Sequence, residues 1–500
     1  MTAPLVLPIV VPLGVTIACV LTGSRPALTR VVSVGGAALL FACAVVLMVR
    51  VLDHGIQAAQ IGDWPAPFGI TLVADPFAAI MVLVAGFMGL AVAVYGLVDI
   101  DADRERFGFH ALYHALLAGI CGAFLAGDLF NLYVWFEVMM IASFALLVLG
   151  SDREQLDGGV KYVAINLVST IVFLTACGLT YGVAGTLNMA ELHAALPDVE
   201  NQGVVAAIGI LLLVAFGIKA AVFPLFFWLP AAYHAPPVTV TAIFAALLTK
   251  VGVYALIRID TLVFAAVADV LEPVLLVTAL ATMVVGVLGA AAQNEVRRIL
   301  SFHIVSQIGY ILLGLAMSTA LGLAGAVFYL VHNIVAKTNL FLVSGAIRRL
   351  EASLELKSIG GLYATAPLLS VVFLVSALSL AGMPPLSGFW AKLLLLQASL
   401  AIEGYVLATA ILAVGLVTLY SMTKIWLQAF WKPAPDASAH PAKPSLTARE
   451  RAGLFGPMLA LTAIIIAMGV AAQPFLDLAM VAATHLRDPA AYVTTVLGRP

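Results

Sequence analysis

Residues 211–258 read LLLVAFGIKAAVFPLFFWLPAAYHAPPVTVTAIFAALLTKVGVYALIR. Two long apolar runs flank a Pro-rich break, and each holds one lysine deep inside it, Lys219 and Lys250. Hydrocarbon solvates an ammonium badly; at the centre of a span it costs about 2.5–3.5 kcal/mol on insertion scales. Charges kept there need partners or water, and they commonly mark an ion or proton path. Pro224 follows Lys219 within about a turn and a half, removes a backbone donor and clashes with the preceding turn. Irregular backbone at membrane depth is tolerated only where protein covers it or water lines it. A buried cation beside a broken helix is the first functional clue, and the other ionisable groups are weighed by whether they can join it.

Outward from that stretch, the 500 residues are 63% hydrophobic and only 10% charged, with a mean hydropathy of +1.11. A soluble domain cannot hide so much apolar surface, so residues 1–500 form a single polytopic membrane domain. The net charge of −2 points to no nucleic acid and no acidic partner. Cys19, Cys43, Cys121 and Cys177 sit inside apolar runs at irregular spacing, without a CxxC pattern. The N-terminus has no basic residue before its apolar run, which predicts an uncleaved first span.

A span needs about 20 mostly apolar residues. About fourteen such segments are expected, all α-helical: 3–22, 31–51, 73–98, 107–126, 128–150, 158–184, 204–230, 237–258, 262–291, 298–318, 320–347, 365–400, 405–430 and 453–475. The seventh is interrupted from Pro224 to Pro230, the twelfth at Gly382-Met383-Pro384-Pro385 and Gly388. Arg25, Arg30, Arg104, Arg106, Arg153, Arg297, Arg298, Arg348, Arg349, Lys357 and Lys432 all fall in odd-numbered loops. The positive-inside rule then puts odd loops in the cytoplasm and both termini outside, in the cell membrane. Residues 432–452 read as a cytoplasmic linker and 186–203 as a short helix on the outer face.

The two broken helices lie five segments apart. Five is odd, so segments 4–8 (107–258) and 9–13 (262–430) would enter the membrane from opposite sides as two inverted five-helix repeats. Residues 1–106 then supply three N-terminal helices, and 453–475 the fourteenth. Each repeat contributes one discontinuous helix with a lysine near its break, Lys219 or Lys392.

Distance from segment ends places Glu137, Lys219, Lys250 and Lys337 near the midplane. Lys392 follows the second break, and His332 precedes Lys337 on the same helix, where the two are expected to share a face. His303 and Ser306 lie near the inner end of the tenth segment and Asp128 at the outer lip of the fifth, as further candidate relay members. One acid and several bases at this depth suggest a titratable row bridged by water. Burial favours a neutral amine and a nearby carboxylate favours the ammonium, so separating Glu137 from Lys219 would release the lysine's proton. The structural alternative, charges that only tie helices together, fits Lys161, Lys424 and Arg258, which can snorkel to an interface. His110, His114 and His234 show no clear partner, and Phe223, Phe226, Phe227 and Trp228 read as packing. HExxH, Walker and GxGxxG patterns are missing, so no metal and no cofactor is expected.

Glu137, GIK at 217–219 followed by FPLFFWLP, the APPVT at 235–239, Lys250 and GFWAK at 388–392 together resemble the antiporter-like subunits. That superfamily spans the large membrane subunits of respiratory complex I, membrane-bound hydrogenases and Mrp-type multisubunit cation/proton antiporters. The similarity runs from about the second segment to the fourteenth. It looks most like the D-type member of an Mrp antiporter, because the sequence lacks a long lateral helix and carries Lys392 where a similar complex I subunit has an acid. The resemblance implies proton translocation through Glu137, Lys219, Lys250, His332, Lys337 and Lys392, coupled to export of Na⁺ or another monovalent cation. It also implies several different membrane subunits as partners. A proton-pumping subunit of complex I or of a hydrogenase is the alternative, and a stand-alone solute carrier of another class is a more distant one.

Overall fold

The computed structural model describes residues 3–434 and 447–498. Residues 435–446, the bulk of the expected 432–452 linker, lie outside the described residues. Among the described residues, twelve helices are long and apolar enough to cross a membrane, from Ala3–Thr22 to Ala448–Val470. Two shorter apolar helices, Phe109–Leu125 and Pro367–Ala381, stand at the expected fourth segment and the first half of the expected twelfth.

Local chemistry sets the ends of these helices. Asp75 accepts the Ala78 N–H at 2.8 Å and Pro76 opens the first turn of Pro76–Asp99. Asp152 and Gln155 form a capping box at the start of Arg153–Ala184, and Gly185, with φ of 72°, closes its end. Asp75 also explains why the third segment does not begin at residue 73. Thr71–Ala74 is a β-strand paired antiparallel with Gln57–Gln60, Gln57 opposite Ala74, so among the described residues one small hairpin interrupts the helices. The ninth helix starts at Ala268 rather than 262, since 259–263 extends the preceding helix as a wide π turn.

Burial sorts the bundle into a centre and a rim. The apolar windows of Val238–Val263, Val296–Ala316 and Ala320–Glu351 are 83–100% buried, whereas that of Ala3–Thr22 is 33% buried. The helices of Lys250, His303, His332 and Lys337 therefore occupy the middle, and the first two N-terminal helices lie at the rim.

The loop-to-loop contacts pair odd-numbered loops with odd and even-numbered loops with even. On one face Arg104 bonds Asp152, Val296 N–H donates to Leu354 O, Gly361 N–H to Lys432 O, and Arg349 pairs with Glu450. These join the third, fifth, ninth, eleventh and thirteenth loops. On the other face Asn188 donates to Thr71 at 2.9 Å, Gly127 N–H to Thr71 O, and His193 Nδ1 lies 2.8 Å from Leu262 O. These join the second, fourth, sixth and eighth loops. The expected short helix at 186–203 is present as Met189–Ala195.

Both breaks are built alike. Gln202–Ala220 ends with Ala221 at φ 59°, and Val222 N–H reaches back to Gly217 O. Pro367–Ala381 ends with Gly382 at φ 92°, and Met383 N–H reaches back to Leu378 O. Each is a left-handed helix terminus. The first break thus opens at Ala221, before Pro224. Pro230 lies not in the break but in the first turn of Trp228–Ala232, where a missing N–H costs little. Pro384 and Pro385 lie between Pro367–Ala381 and Ser387–Ala401, as expected.

Candidate functional site

Lys219 sits in the last turn of Gln202–Ala220, 6% exposed. Its Nζ lies 3.8 Å from the Met140 sulfur and 5.9 Å from the centre of the Phe136 ring. Glu137 lies on Leu129–Val148 and is half-buried. Its Oε1 accepts the Thr170 hydroxyl at 2.7 Å, and Thr170 also approaches the Met140 sulfur at 3.9 Å. The two charges are near enough to interact but form no direct ion pair. Met140 contacts both Lys219 and the residue that holds Glu137.

Lys250 is fully buried in Val238–Val263. A π turn at Phe244–Leu248 frees the Ala245 carbonyl, which accepts Lys250 Nζ at 2.6 Å. Such single wide turns recur at functional positions. Two residues on, Gly252 lets this helix touch the end of the Lys219 helix. A Cβ there would lie 2.7 Å from Ala220 N and 3.0 Å from the Lys219 carbonyl carbon. Lys337, also fully buried, donates to Leu300 O at 3.3 Å and lies close enough to Lys250 for their charges to repel.

The second break carries the rest. His332 Nδ1 is 2.8 Å from Ser387 Oγ, which is 3.0 Å from Ser379 Oγ across the interruption. Gly388 permits the closure, for a Cβ there would collide with the Ser379 carbonyl oxygen. Lys392 Nζ donates at 2.8 Å to Ala381 O, the last residue of the first half-helix, and lies 5.1 Å above the Tyr310 ring. Tyr310 stacks on Tyr329, Tyr329 donates to Gln307 Oε1, and its ring meets the His332 ring edge-on at 5.8 Å. His303 Nε2 lies 2.6 Å from Ser421 Oγ. His332 and Lys337 do not share a face: five residues advance a helix about 140° past a full turn, and the two reach different neighbours.

The structure thus brings Glu137 near Lys219, Lys250 near Lys337, and His332 near Lys392 and Lys337. It does not bring Ser306 or Asp128 into the row. Ser306 bonds the Met283 carbonyl at 3.0 Å, beside a Gly286 that admits its backbone. Asp128 caps its own helix through Asn131 N–H at 2.6 Å, and burial pushes its carboxyl up to about 6 against the pull of the Asn131, Thr71 and Phe130 amides. Lys161 is exposed and paired with Asp157, and Lys424 bonds the Ala291 and Gln293 carbonyls at a helix end. Arg258 does not snorkel: it makes two 2.7 Å bonds to buried Asp75. His110 and His114 have partners after all, Glu105 and Ser33.

Sequence reasoning missed Thr170, Met140, Tyr310, Ser379 and Ser387. Isolated hydroxyls in apolar runs were the available signal for Thr170 and the serines. Nothing in the sequence marks Met140 or the freed Ala245 carbonyl.

The chain is similar to several known proteins. The family described as NADH:quinone oxidoreductase/Mrp antiporter, transmembrane, matches residues 126–418. The D subunit of the Na(+)/H(+) antiporter of Alkalihalophilus pseudofirmus OF4 is 42% identical over 493 residues, 98% of this chain and 99% of that protein. The protein of the same description from Bacillus subtilis 168 is 37% identical over 98% of this chain and 99% of its own length. A chain in the structure of the Mrp complex from Dietzia sp. DQ12-45-1b superposes with a TM-score of 0.92, at 34% identity and 100% coverage of both chains.

Proposed function

This chain belongs to the NADH:quinone oxidoreductase/Mrp antiporter transmembrane family, and we propose that it is the D-type, proton-translocating subunit of a multisubunit Na⁺/H⁺ antiporter. It is a secondary transporter subunit, not an enzyme, and it works beside other membrane subunits. End-to-end similarity to two D-type antiporter subunits favours this reading over a redox-driven complex.

The observation that carries it is a row of buried lysines held by neutral acceptors. Lys219 meets a sulfur, and Lys250, Lys337 and Lys392 meet backbone carbonyls. An ammonium fixed by a carboxylate would surrender its proton reluctantly; one held by a carbonyl keeps its seat without a fixed counter-charge. Glu137 biases Lys219 from a short distance. A change in that distance, as a cation or partner acts on the half-buried Glu137 side, alters the proton affinity of Lys219. The charge then passes toward Lys250 and Lys337 by mutual repulsion, and on to His332 and Lys392 at the second break. Buried nitrogens of His303, His332 and Gln307 have no hydrogen-bond partner among the described residues, which suits water bridging between these stations. His303 is a side station, tied to Ser421.

The chain lies in the cell membrane with about fourteen crossings, both termini outside, and residues 107–258 and 262–430 as inverted repeats. The similar construction of the two breaks supports the repeat. The driving force suffices, since one charge crossing 100 mV is worth about 2.3 kcal/mol.

The test is Na⁺-driven proton movement in everted vesicles bearing the whole complex, followed with a pH-sensitive dye. A complex purified with its native neighbours that carried flavin or iron–sulfur signals would count against the antiporter reading.

A further inference from the structure

We propose that the chain holds the acyl chain of a membrane phospholipid in a built cavity beside its second break. The cavity has a volume of about 290 Å³ and is lined wholly by apolar side chains from five helices, among them Phe41, Phe87, Phe328, Val331, Met468 and Phe475. Phe41 and Phe87 stand at the middle of Pro26–His54 and Pro76–Asp99, with ring centres 5.6 Å apart, so the cavity lies at hydrocarbon depth. Its inner wall, Ile80, Met88 and Val335, is buried, while Leu83, Val84 and Ile464 are half-buried and open the cavity sideways.

Three kinds of occupant are available in a membrane. Water has no polar partner on these walls, and apolar cavities of this kind stay dry. A partner's helix, about 10 Å across, would fit less than one turn into this volume. An acyl chain is narrow, carries no backbone polar group and surrounds the protein at this depth. The occupant is therefore lipid.

Its position matters because one of its walls belongs to the helix of His332 and Lys337 and another packs on the second break. Phe328, Val331 and Val335 lie on Ala320–Glu351, the helix of His332 and Lys337. Met468 precedes Gly469, whose carbonyl accepts the Trp390 indole N–H at 2.8 Å. The same glycine packs so closely on the break that a Cβ would collide with the Pro385 carbonyl oxygen. A chain seated here buttresses the relay helix and the interrupted helix together.

The intact complex would be placed in vesicles of phosphatidylethanolamine and phosphatidylglycerol containing a phosphatidylcholine with a diazirine midway along one acyl chain. After irradiation, adducts are mapped by peptide mass spectrometry. The expected result is adducts on Phe87, Val331 or Phe475, besides those on lipid-facing Leu39 and Val46. Ala479→Trp, which fills the cavity, should abolish the first set and leave the second. Adducts confined to Leu39 and Val46 in the wild-type complex overturn the proposal, and so do cavity adducts that persist in Ala479→Trp. Should that variant fail to assemble, Val84→Phe at the mouth provides the same comparison.

Discussion

His332 Nδ1 lies 2.8 Å from the hydroxyl of Ser387, the first residue of the second half of the broken helix. Ser387 in turn faces Ser379 in the first half, and Ser379 Oγ accepts the Gly388 N–H at 3.3 Å. One imidazole is thereby joined to both sides of the interruption. Histidine can take and give a proton, so on the proposed relay a movement of the break would alter the hydrogen bonding of His332 and with it its protonation.

Ser387→Ala should slow Na⁺-driven proton movement about three- to tenfold, the worth of one buried hydrogen bond expressed as a rate. Ser387→Thr keeps the hydroxyl and should retain most of the rate. Equal loss in the two variants, measured by dye quenching in everted vesicles, would show that bulk at this position matters and the hydrogen bond does not.

Glu137→Ala and Lys219→Ala should each abolish antiport while the complex still assembles. Thr170→Val removes the hydroxyl that holds Glu137 and should leave partial activity, reduced about fivefold. Lys161→Ala, altering only an exposed pair with Asp157, should leave transport unchanged. Full activity in Glu137→Ala, with assembly checked by co-purification, would remove the acid from the path.

Gly252→Ala should lower stability by about 1–3 kcal/mol, the usual cost of overpacking. Its new methyl would meet backbone atoms of Lys219 and Ala220, which cannot swing aside. Gly178→Ala, with nothing within 4 Å, is the control and should be neutral. Thermal unfolding of the purified complex compares them; matching midpoints would mean that the two helices separate freely.

Arg258→Met should destabilise the chain by about 3–5 kcal/mol, because it strands Asp75 as a buried unpaired carboxylate. Burial pushes the Asp75 carboxyl up, but the attraction of Arg258, its two hydrogen bonds and the Ala78 amide together hold it below the ordinary carboxylate range. With the folded value depressed, the contribution is complete above the unfolded value of about 3.9 and is lost as pH falls through the folded one. Thermal stability should therefore be insensitive to Asp75 between about pH 6 and 8 and drop below about pH 4. In Asp75→Asn the drop at acid pH should be smaller than in the wild type, and an identical drop would assign it to other carboxylates.

Much of the architecture was legible because hydrocarbon imposes simple rules. Apolar runs of span length, Pro-Gly interruptions and lysines in oil announced the helices, both breaks and the burial of Lys219, Lys250 and Lys337. Side-chain geometry was not legible. Depth alone sets Lys219 and Glu137 side by side, yet a thioether and a threonine take their nearest contacts, a choice made by packing between three helices. Arg258 reads as an interfacial side chain because its partner, Asp75, lies 183 positions away. His332 and Lys337 read as co-facial only when spacing along a helix is taken loosely. The hairpin at 57–74 leaves little trace in the sequence, since its strands are only four residues each.

The wide turn at 244–248 has a mechanical meaning for the lysine seated on it. It leaves the Ala245 oxygen facing Lys250 across five residues. An amine that has given up its proton still has hydrogens to offer that oxygen, so the same seat serves the charged and the neutral lysine. On the proposed relay, a proton could leave Lys250 while its amine keeps the same seat, ready to reload without a rotamer search.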